Sequence, residues 1–167
     1  VILKEKLYDA DYVRRWTDLP LLVRMDTLER LHAKDVFGGE LGALSNQTKV
    51  LGADEKPAAP GTHTDMVVPG KLRAEWGDSV WWDEATHAPQ SITRDEVGKH
   101  SKVGQPKLEG SVEVTLLDGK KVRCRPIFDL VQEYVEHFDP KTIEEMTWAP
   151  AKAVQDLARH FEAADGD

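Results

Sequence analysis

The sequence predicts an α/β fold, because strand-type and helix-type periodicities follow one another along the chain. Residues 111–117 alternate in polarity and are rich in β-branched side chains, and a second alternating run follows at 120–125. An Asp-Gly pair at 118–119 separates the two runs, which is the strongest short-range hairpin signal in the chain. After Pro126 the apolar period becomes that of a helix, and it remains so to residue 161.

The opening segment predicts a helix end, a short helix and a strand. Residues 1–7 carry leucines at i and i+4 without an N-cap, which indicates the last turns of a helix. We therefore expect the chain to be a piece of a longer polypeptide, or one shortened for expression. Asp9 caps a short helix that ends before Pro20, and residues 21–24 fit a buried strand. Residues 25–36 fit either a helix or an extended return.

Apolar periodicity collapses between Phe37 and Arg73, where glycines and prolines punctuate the sequence. A connection of this length is too long to be passive in a compact domain, so we expect an irregular covering segment. Within this covering segment, residues 79–83 are predicted to form a short strand or an aromatic anchor. The predicted organisation of the chain is therefore 1–36 in the α/β domain, 37–110 as a covering insertion, and 111–167 as a hairpin with returning helices.

Three C-terminal helices are predicted, beginning at Pro126, at Asp139-Pro140 and at Pro150. Each carries apolar residues at helical spacing, so that these residues line one face of the helix. The stripe residues are Phe128, Val131, Val135, Ile143, Met146, Val154, Leu157, Ala158 and Phe161. Ile127, Leu130 and Tyr134 widen the stripe of the first helix.

Composition excludes several classes of protein. The chain has 167 residues, 22 Lys or Arg and 30 Asp or Glu, which gives a net charge of −8. Such an acidic chain repels phosphate backbones and is not typical of a general nucleic-acid binder. One cysteine, Cys124, cannot form an internal disulfide or a cysteine-based cluster, and burial as a small hydrophobe is its expected role. No apolar run approaches the length of a membrane span.

The residues by themselves identify no catalytic group and no metal site. The histidines form no metal-binding pattern, and His63 with Asp65 lacks a third ligand. Phosphate-binding glycine loops and a nucleophile elbow are absent from the sequence. The histidines are His32, His63, His87, His100, His137 and His160.

One stretch of the sequence is specific enough to suggest a family. Residues 8–27, with YVRRWTDLPLLV at 12–23, resemble a segment of the catalytic subunits of molybdopterin oxidoreductases of the dimethyl sulfoxide reductase family. The similarity is to the type II branch, which contains nitrate, selenate, chlorate and perchlorate reductases, nitrite oxidoreductase, and ethylbenzene and dimethyl sulfide dehydrogenases. The runs VWWD at 80–83 and APQSIT at 88–93, and the helices at 138–161, resemble later parts of the same segment in the same order.

This resemblance implies an internal fragment of such a catalytic subunit, inactive alone and forming part of a nucleotide-binding α/β domain with a covering insertion. The parent subunit would be a nitrate-type oxyanion reductase or a nitrite-oxidising relative. It would hold molybdenum in a bis(molybdopterin guanine dinucleotide) cofactor, together with an iron–sulfur cluster. This chain would hold neither group wholly, and its cofactor contacts are unknown.

The implied partners are an iron–sulfur β subunit, a haem or membrane γ subunit, and a small-molecule substrate. The implied compartment is the periplasm, with the cytoplasmic face of the membrane as the alternative.

Two further hypotheses concern particular residues. Trp16, Thr17 and Asp18 are candidates for facing the substrate funnel, and the alternative is a helix end packed into the domain. A different class of function would be a free-standing interaction module, which binds a partner protein through the long loop and the pair Trp81-Trp82.

Overall fold

A computed structural model describes five ranges of the chain, which are 1–38, 48–51, 66–69, 79–92 and 104–164. The elements in chain order are α1 Ala10–Trp16, β1 Leu22–Arg24, α2 Ala33–Phe37, β2 Thr48–Leu51, β3 Met66–Pro69, β4 Ser79–Asp83, β5 Ala88–Ile92, β6 Val112–Thr115, β7 Lys121–Pro126, α3 Ile127–Glu136, α4 Pro140–Thr147 and α5 Ala151–Ala163. No helix within these ranges has the length and apolar character needed to cross a membrane.

The first residues form the C-terminal cap of a helical turn. The Leu7 N–H donates to the Ile2 carbonyl at 2.9 Å, and the Lys6 N–H donates to the Leu3 carbonyl at 3.3 Å. Lys6 has a φ of 56°, in the left-handed region. This pair of bonds around a left-handed residue is a Schellman motif, so the predicted helix end is confirmed in its local geometry.

The central sheet has three antiparallel strands in the order β1-β7-β6. The predicted hairpin is confirmed, with Val114 opposite Val122 across β6 and β7. Gly119 has a φ of 84°, a conformation that the turn requires and that glycine adopts without strain. Alternate residues of β7 point inward, and Val122 and Cys124 are buried among them. The fold class is therefore mixed α/β with small sheets.

The ambiguous residues 25–36 form an extended return followed by the short helix α2. Arg30 pairs with Val23 of β1, and His32 pairs with Ser79 of β4, so this stretch connects the sheet to the β4–β5 ladder. The core forms at this junction. Its buried members are Leu22, Leu31, Ala33, Val80, Val114, Leu116, Val122 and Cys124.

The predicted covering insertion at 37–110 contains more regular structure than expected. β2 and β3 form a parallel pair, and β4 and β5 form an antiparallel ladder. Val80 of this segment is fully buried in the core, so this strand belongs to the folded body rather than to a covering loop. His63 and Asp65, like His100, lie outside the described residues.

The three C-terminal helices occur where the sequence predicts them. α3 begins at Ile127, one residue later than predicted, because Pro126 still pairs with Leu22 in the sheet. Asp139 caps α4 by accepting the N–H groups of Lys141 and Thr142.

Most members of the helix stripes are not buried within the described structure. Of the stripe residues, only Phe128 and Ala158 are buried. The large exposed members are Val131, Val135, Met146, Leu157 and Phe161. The helices form as the spacing predicts, but the described residues cover only part of this face, as where Tyr8 packs against Phe128.

Candidate functional site

The candidate funnel residues lie together at the C-terminal end of α1. The backbone turns extended at Thr17, whose hydroxyl donates to the Val13 carbonyl at 2.6 Å and accepts the Leu19 N–H at 3.2 Å. These contacts end the helix and stabilise the turn that follows. Trp16 precedes that turn with 55% of its surface exposed, so its indole is available at the surface of the described structure.

Asp18 forms an ion pair with Arg30 across this turn. The two charged groups are 2.5 Å apart, and both side chains are about half exposed. Such an exposed pair contributes little to stability, because solvent screens it. It nevertheless places one negative and one positive charge at this turn. This turn, defined as residues 16–18 with Arg30, is named the WTD turn below.

The loop at residues 104–110 makes a hydrogen bond to α1 and another to α3. The Arg14 guanidinium donates through Nε to the carbonyl of Pro106 at 3.0 Å. At the other end of the loop, the Gly110 N–H donates to the Asp129 carboxylate of α3 at 2.9 Å. The position of the WTD turn therefore depends on a loop that is more than 80 residues away in sequence.

The buried carboxylate of Asp83 binds the backbone of this loop. Asp83 is 2% exposed and is the one charged residue that is buried within the described ranges. Its carboxylate accepts hydrogen bonds from the Gln105 N–H at 2.8 Å, the Thr86 hydroxyl at 2.8 Å and the Ala85 N–H at 3.0 Å. Burial alone would raise the pKa of Asp83, but these donors outweigh it and lower the pKa below its ordinary value.

Gly104 fits between Asp83 and an aromatic ring. A Cβ at this position would lie 2.6 Å from Cη2 of Trp81 and 3.1 Å from the Asp83 carboxylate. Trp81 is 3% exposed, and Trp82 is partly buried against the core. The pair therefore packs inside the fold, which does not favour the hypothesis that Trp81-Trp82 forms a partner-binding surface.

Asp83 and Gly104 were not among the candidate residues that the sequence patterns indicate. Residues 79–83 fit either a short strand or an aromatic anchor by sequence. The aspartate stands where the observed strand enters a turn, a position at which short carboxylates often accept backbone N–H groups. Nothing in the local sequence points to the donor at Gln105.

The described residues do not form a metal centre. They contain no group of three or more His, Cys, Asp and Glu side chains that could bind an ion. Cys124 is fully buried in the core, and burial raises the pKa of its thiol to about 11. A thiolate ligand to a metal or to an iron–sulfur cluster is therefore not available at this position near neutral pH.

A second feature is an apolar groove between the first turn of the chain and the helices α3, α4 and α5. It encloses about 760 Å³, and apolar side chains dominate its lining. Arg159 of α5 holds one wall by a bidentate ion pair with Glu5, with N–O distances of 3.0 and 3.1 Å. The groove lining includes Leu3, Val135, Ile143, Val154, Leu157 and Phe161.

Two of the known proteins that the chain resembles are named as alpha subunits of reductases. No protein-family model matches the chain. The chain is 32% identical to perchlorate reductase subunit alpha of Dechloromonas aromatica over 171 residues, which cover 98% of this chain and 17% of the relative. It is 27% identical to respiratory nitrate reductase subunit alpha of Haloferax mediterranei, over 98% of this chain and 14% of the relative.

A relative of lower identity is named for a dehydroxylation and not for the reduction of an oxyanion. The chain is 22% identical to dopamine dehydroxylase of Eggerthella lenta, over 96% of this chain and 20% of that protein. The chain therefore spans about a sixth of the length of these relatives. Almost all of the chain is matched in each case, although the names refer to different substrates.

Proposed function

We propose that the chain is a segment of the catalytic subunit of a molybdopterin oxidoreductase of the dimethyl sulfoxide reductase family. The observation that carries this proposal is the match of 98% of the chain to 17% of perchlorate reductase subunit alpha at 32% identity. The family-like stretch YVRRWTDLPLLV, which contains the WTD turn and β1, lies within this match. A free-standing interaction module is less well supported, because Trp81 is buried.

The proposed reaction is the two-electron reduction of an oxyanion of the nitrate type. One oxygen atom of the substrate leaves as water, with two protons and two electrons consumed, and nitrate would become nitrite. Two of the relatives are named for oxyanions, perchlorate and nitrate, which favours this substrate class over the others of the branch. A nitrite-oxidising relative would run the same balance in reverse.

The cofactor would be a bis(molybdopterin guanine dinucleotide) molybdenum centre, which supplies the change of oxidation state when bound. The described residues do not fit the metal or an iron–sulfur cluster, because they offer no ligand group and their one cysteine is buried and protonated. We therefore assign the binding of both groups to other parts of the parent subunit. No chemical step is assigned to a side chain of this segment.

The role proposed for this segment is structural support near the substrate route. The WTD turn presents an exposed indole and an Asp18–Arg30 pair, and we place it at the border of that route. Exposed charges at the edge of a route alter how fast an anionic substrate arrives, without touching the reacting atoms. The part of the chain behind the turn, from Asp83 through the 104–110 loop to Arg14, fixes its position.

The partners and the compartment follow from the same proposal. An iron–sulfur β subunit would deliver electrons, and a haem or membrane γ subunit would connect the complex to a respiratory chain. The periplasm is the proposed location, and the cytoplasmic face of the membrane is the alternative.

Purification of the full-length parent subunit with its natural partners tests the proposal. We expect stoichiometric molybdenum by elemental analysis, and oxidation of reduced viologen dye on addition of nitrate or perchlorate. Dimethyl sulfoxide serves as the comparison substrate. A subunit that lacks molybdenum, or that oxidises the dye with no acceptor, would refute the family assignment. Activity with the sulfoxide alone would retain the family and overturn the oxyanion assignment.

A further inference from the structure

We propose that the apolar groove between the first turn and helices α3–α5 is an internal docking surface of the parent subunit. Its occupant would be an amphipathic helix with a basic rim, supplied by another part of the same polypeptide. This inference rests on the proposed function, since it requires that the chain be a segment of a larger subunit.

The composition of the groove favours an apolar occupant. Its lining comes mainly from leucine, isoleucine, valine and phenylalanine side chains. The polar lining residues are Lys4, Gln132, Glu136 and Asp139. A cavity of about 760 Å³ with walls of this kind accommodates several large side chains, as the apolar face of a helix would supply.

The apolar face of α5 has one buried residue, Ala158, and two exposed residues that line the groove. Ala158 is buried, whereas Leu157 is 56% and Phe161 is 69% exposed. These two residues are four apart, so they lie on one face of the helix. A contiguous apolar patch of this kind on a folded surface is typical of a site where another element packs.

The net negative charge of the groove helices indicates that the occupant has a basic rim. Residues 127–164, which contain all three groove helices, hold eight Asp or Glu against three Lys or Arg. A helix with lysine or arginine beside its apolar face would complement this surface. A second copy of this chain would bring the same acidic surface to the interface, so like charges would oppose its docking.

The length of the relatives indicates where the occupant comes from. At least four-fifths of each relative lies outside the segment that this chain matches. The parent polypeptide would therefore have ample chain outside this segment to supply the occupant. A helix of the same chain also needs no separate association step, because it is present at high effective concentration.

Site-specific photo-cross-linking in the full-length subunit tests this inference. p-Benzoylphenylalanine is introduced in place of Phe161 in the groove, and in place of Leu117 as a control. Leu117 is also a large exposed apolar residue, but it lies beside the hairpin turn and away from the groove. After irradiation, digestion and mass spectrometry identify the partner peptide.

We expect the probe at Phe161 to cross-link to a peptide of the same polypeptide outside residues 1–167, and that peptide to contain lysine or arginine within an apolar repeat. The control should give no such product. Adding Leu157→Glu to the Phe161 probe should abolish the cross-link, because an unpaired carboxylate disfavours burial. A cross-link to a second copy or to another subunit would overturn the inference, and so would a product confined to residues 1–167 or the absence of any product.

The same preparation distinguishes this inference from the proposed function. Molybdenum content and acceptor-dependent dye oxidation are measured on the unsubstituted subunit. A subunit that is active but gives no intrachain cross-link would retain the proposed function and reject the docking surface. A subunit without molybdenum would reject the family assignment, whatever the cross-link shows.

Discussion

The Asp83 carboxylate accepts the backbone N–H of Gln105 at 2.8 Å, a contact between residues 22 positions apart. This bond joins the end of β4 to the loop whose Pro106 carbonyl accepts Arg14 of α1. A buried charge in the β4–β5 ladder thereby helps to fix the helix that ends at the WTD turn. The position of the candidate funnel residues therefore depends on this connection as well as on the local contacts of Thr17.

Replacing Asp83 with Asn should loosen the 104–110 loop. The amide keeps the shape of the carboxylate but loses the charge, and one of its two polar atoms can no longer accept a hydrogen bond. Hydrogen bonds to charged groups contribute roughly 1.5–3 kcal/mol, so we expect local destabilisation of about 2 kcal/mol. Hydrogen exchange of peptides covering 79–92 and 104–110 measures it. Glu84→Gln, which removes a more exposed ion pair with Lys107, is the matched control and should change exchange little.

Asp83 should also make the same region sensitive to acid. Its pKa in the folded state is lowered from the ordinary value of 3.8, because hydrogen bonds donated by Gln105, Thr86 and Ala85 outweigh the effect of burial. The stability it contributes is therefore fully present above pH 3.8 and is lost as the pH falls below this value through the folded-state pKa. Acid titration of tryptophan emission, which reports on buried Trp81, should show this transition. Asp83→Asn should remove it, and an unchanged titration would contradict the assignment.

Replacing Gly104 with Ala should destabilise the loop by steric conflict. The added Cβ would lie 2.6 Å from the Trp81 ring, so the ring or the loop backbone must move. Overpacking of this kind costs roughly 1–3 kcal/mol. Gly119→Asn is the control, because no neighbour lies within 4 Å of a Cβ there and asparagine tolerates the left-handed backbone. Equal protection of peptides 104–110 in both variants would show that the loop accommodates a side chain.

Cys124 should behave as a core hydrophobe and not as a reactive thiol. Burial raises its pKa from 9.0 to about 11, so the thiolate is scarce at neutral pH. We expect iodoacetamide to leave the peptide containing Cys124 unmodified at pH 8 in the native protein and to modify it in urea. The raised pKa also means that stability from the protonated thiol is present below pH 9 and is lost as the pH rises through about 11. Rapid native labelling would contradict this burial.

The elements that the sequence predicts well are those with local causes. The Asp118-Gly119 turn and the Asp9 and Asp139 caps form through contacts within a few residues, so short patterns were sufficient. The function of Asp83 was not predictable, because its donor Gln105 lies in a distant loop. Burial of the helix stripes was also not predictable, since periodicity shows which residues share a face but not what covers that face.

Substitutions of Asp18 and Arg30 test the WTD turn in the full-length enzyme, because they should change kcat/KM in opposite directions. Asp18→Asn and Arg30→Gln break the same exposed ion pair, so each should change stability by less than about 1 kcal/mol. They alter the local charge in opposite directions. If the turn borders the route of an anionic substrate, Asp18→Asn should raise kcat/KM at low ionic strength and Arg30→Gln should lower it.

Salt provides the internal control for this pair of variants. Screening acts over about 10 Å at 0.1 M ionic strength, so the two kcat/KM values should converge on that of the unsubstituted enzyme as salt is added. A neutral substrate such as dimethyl sulfoxide, if it is turned over, should not distinguish the variants. Equal changes in the same direction would instead mean that the pair only stabilises the turn. In that case Trp16, Thr17 and Asp18 would be a helix end packed on the domain, and the substrate route would lie elsewhere.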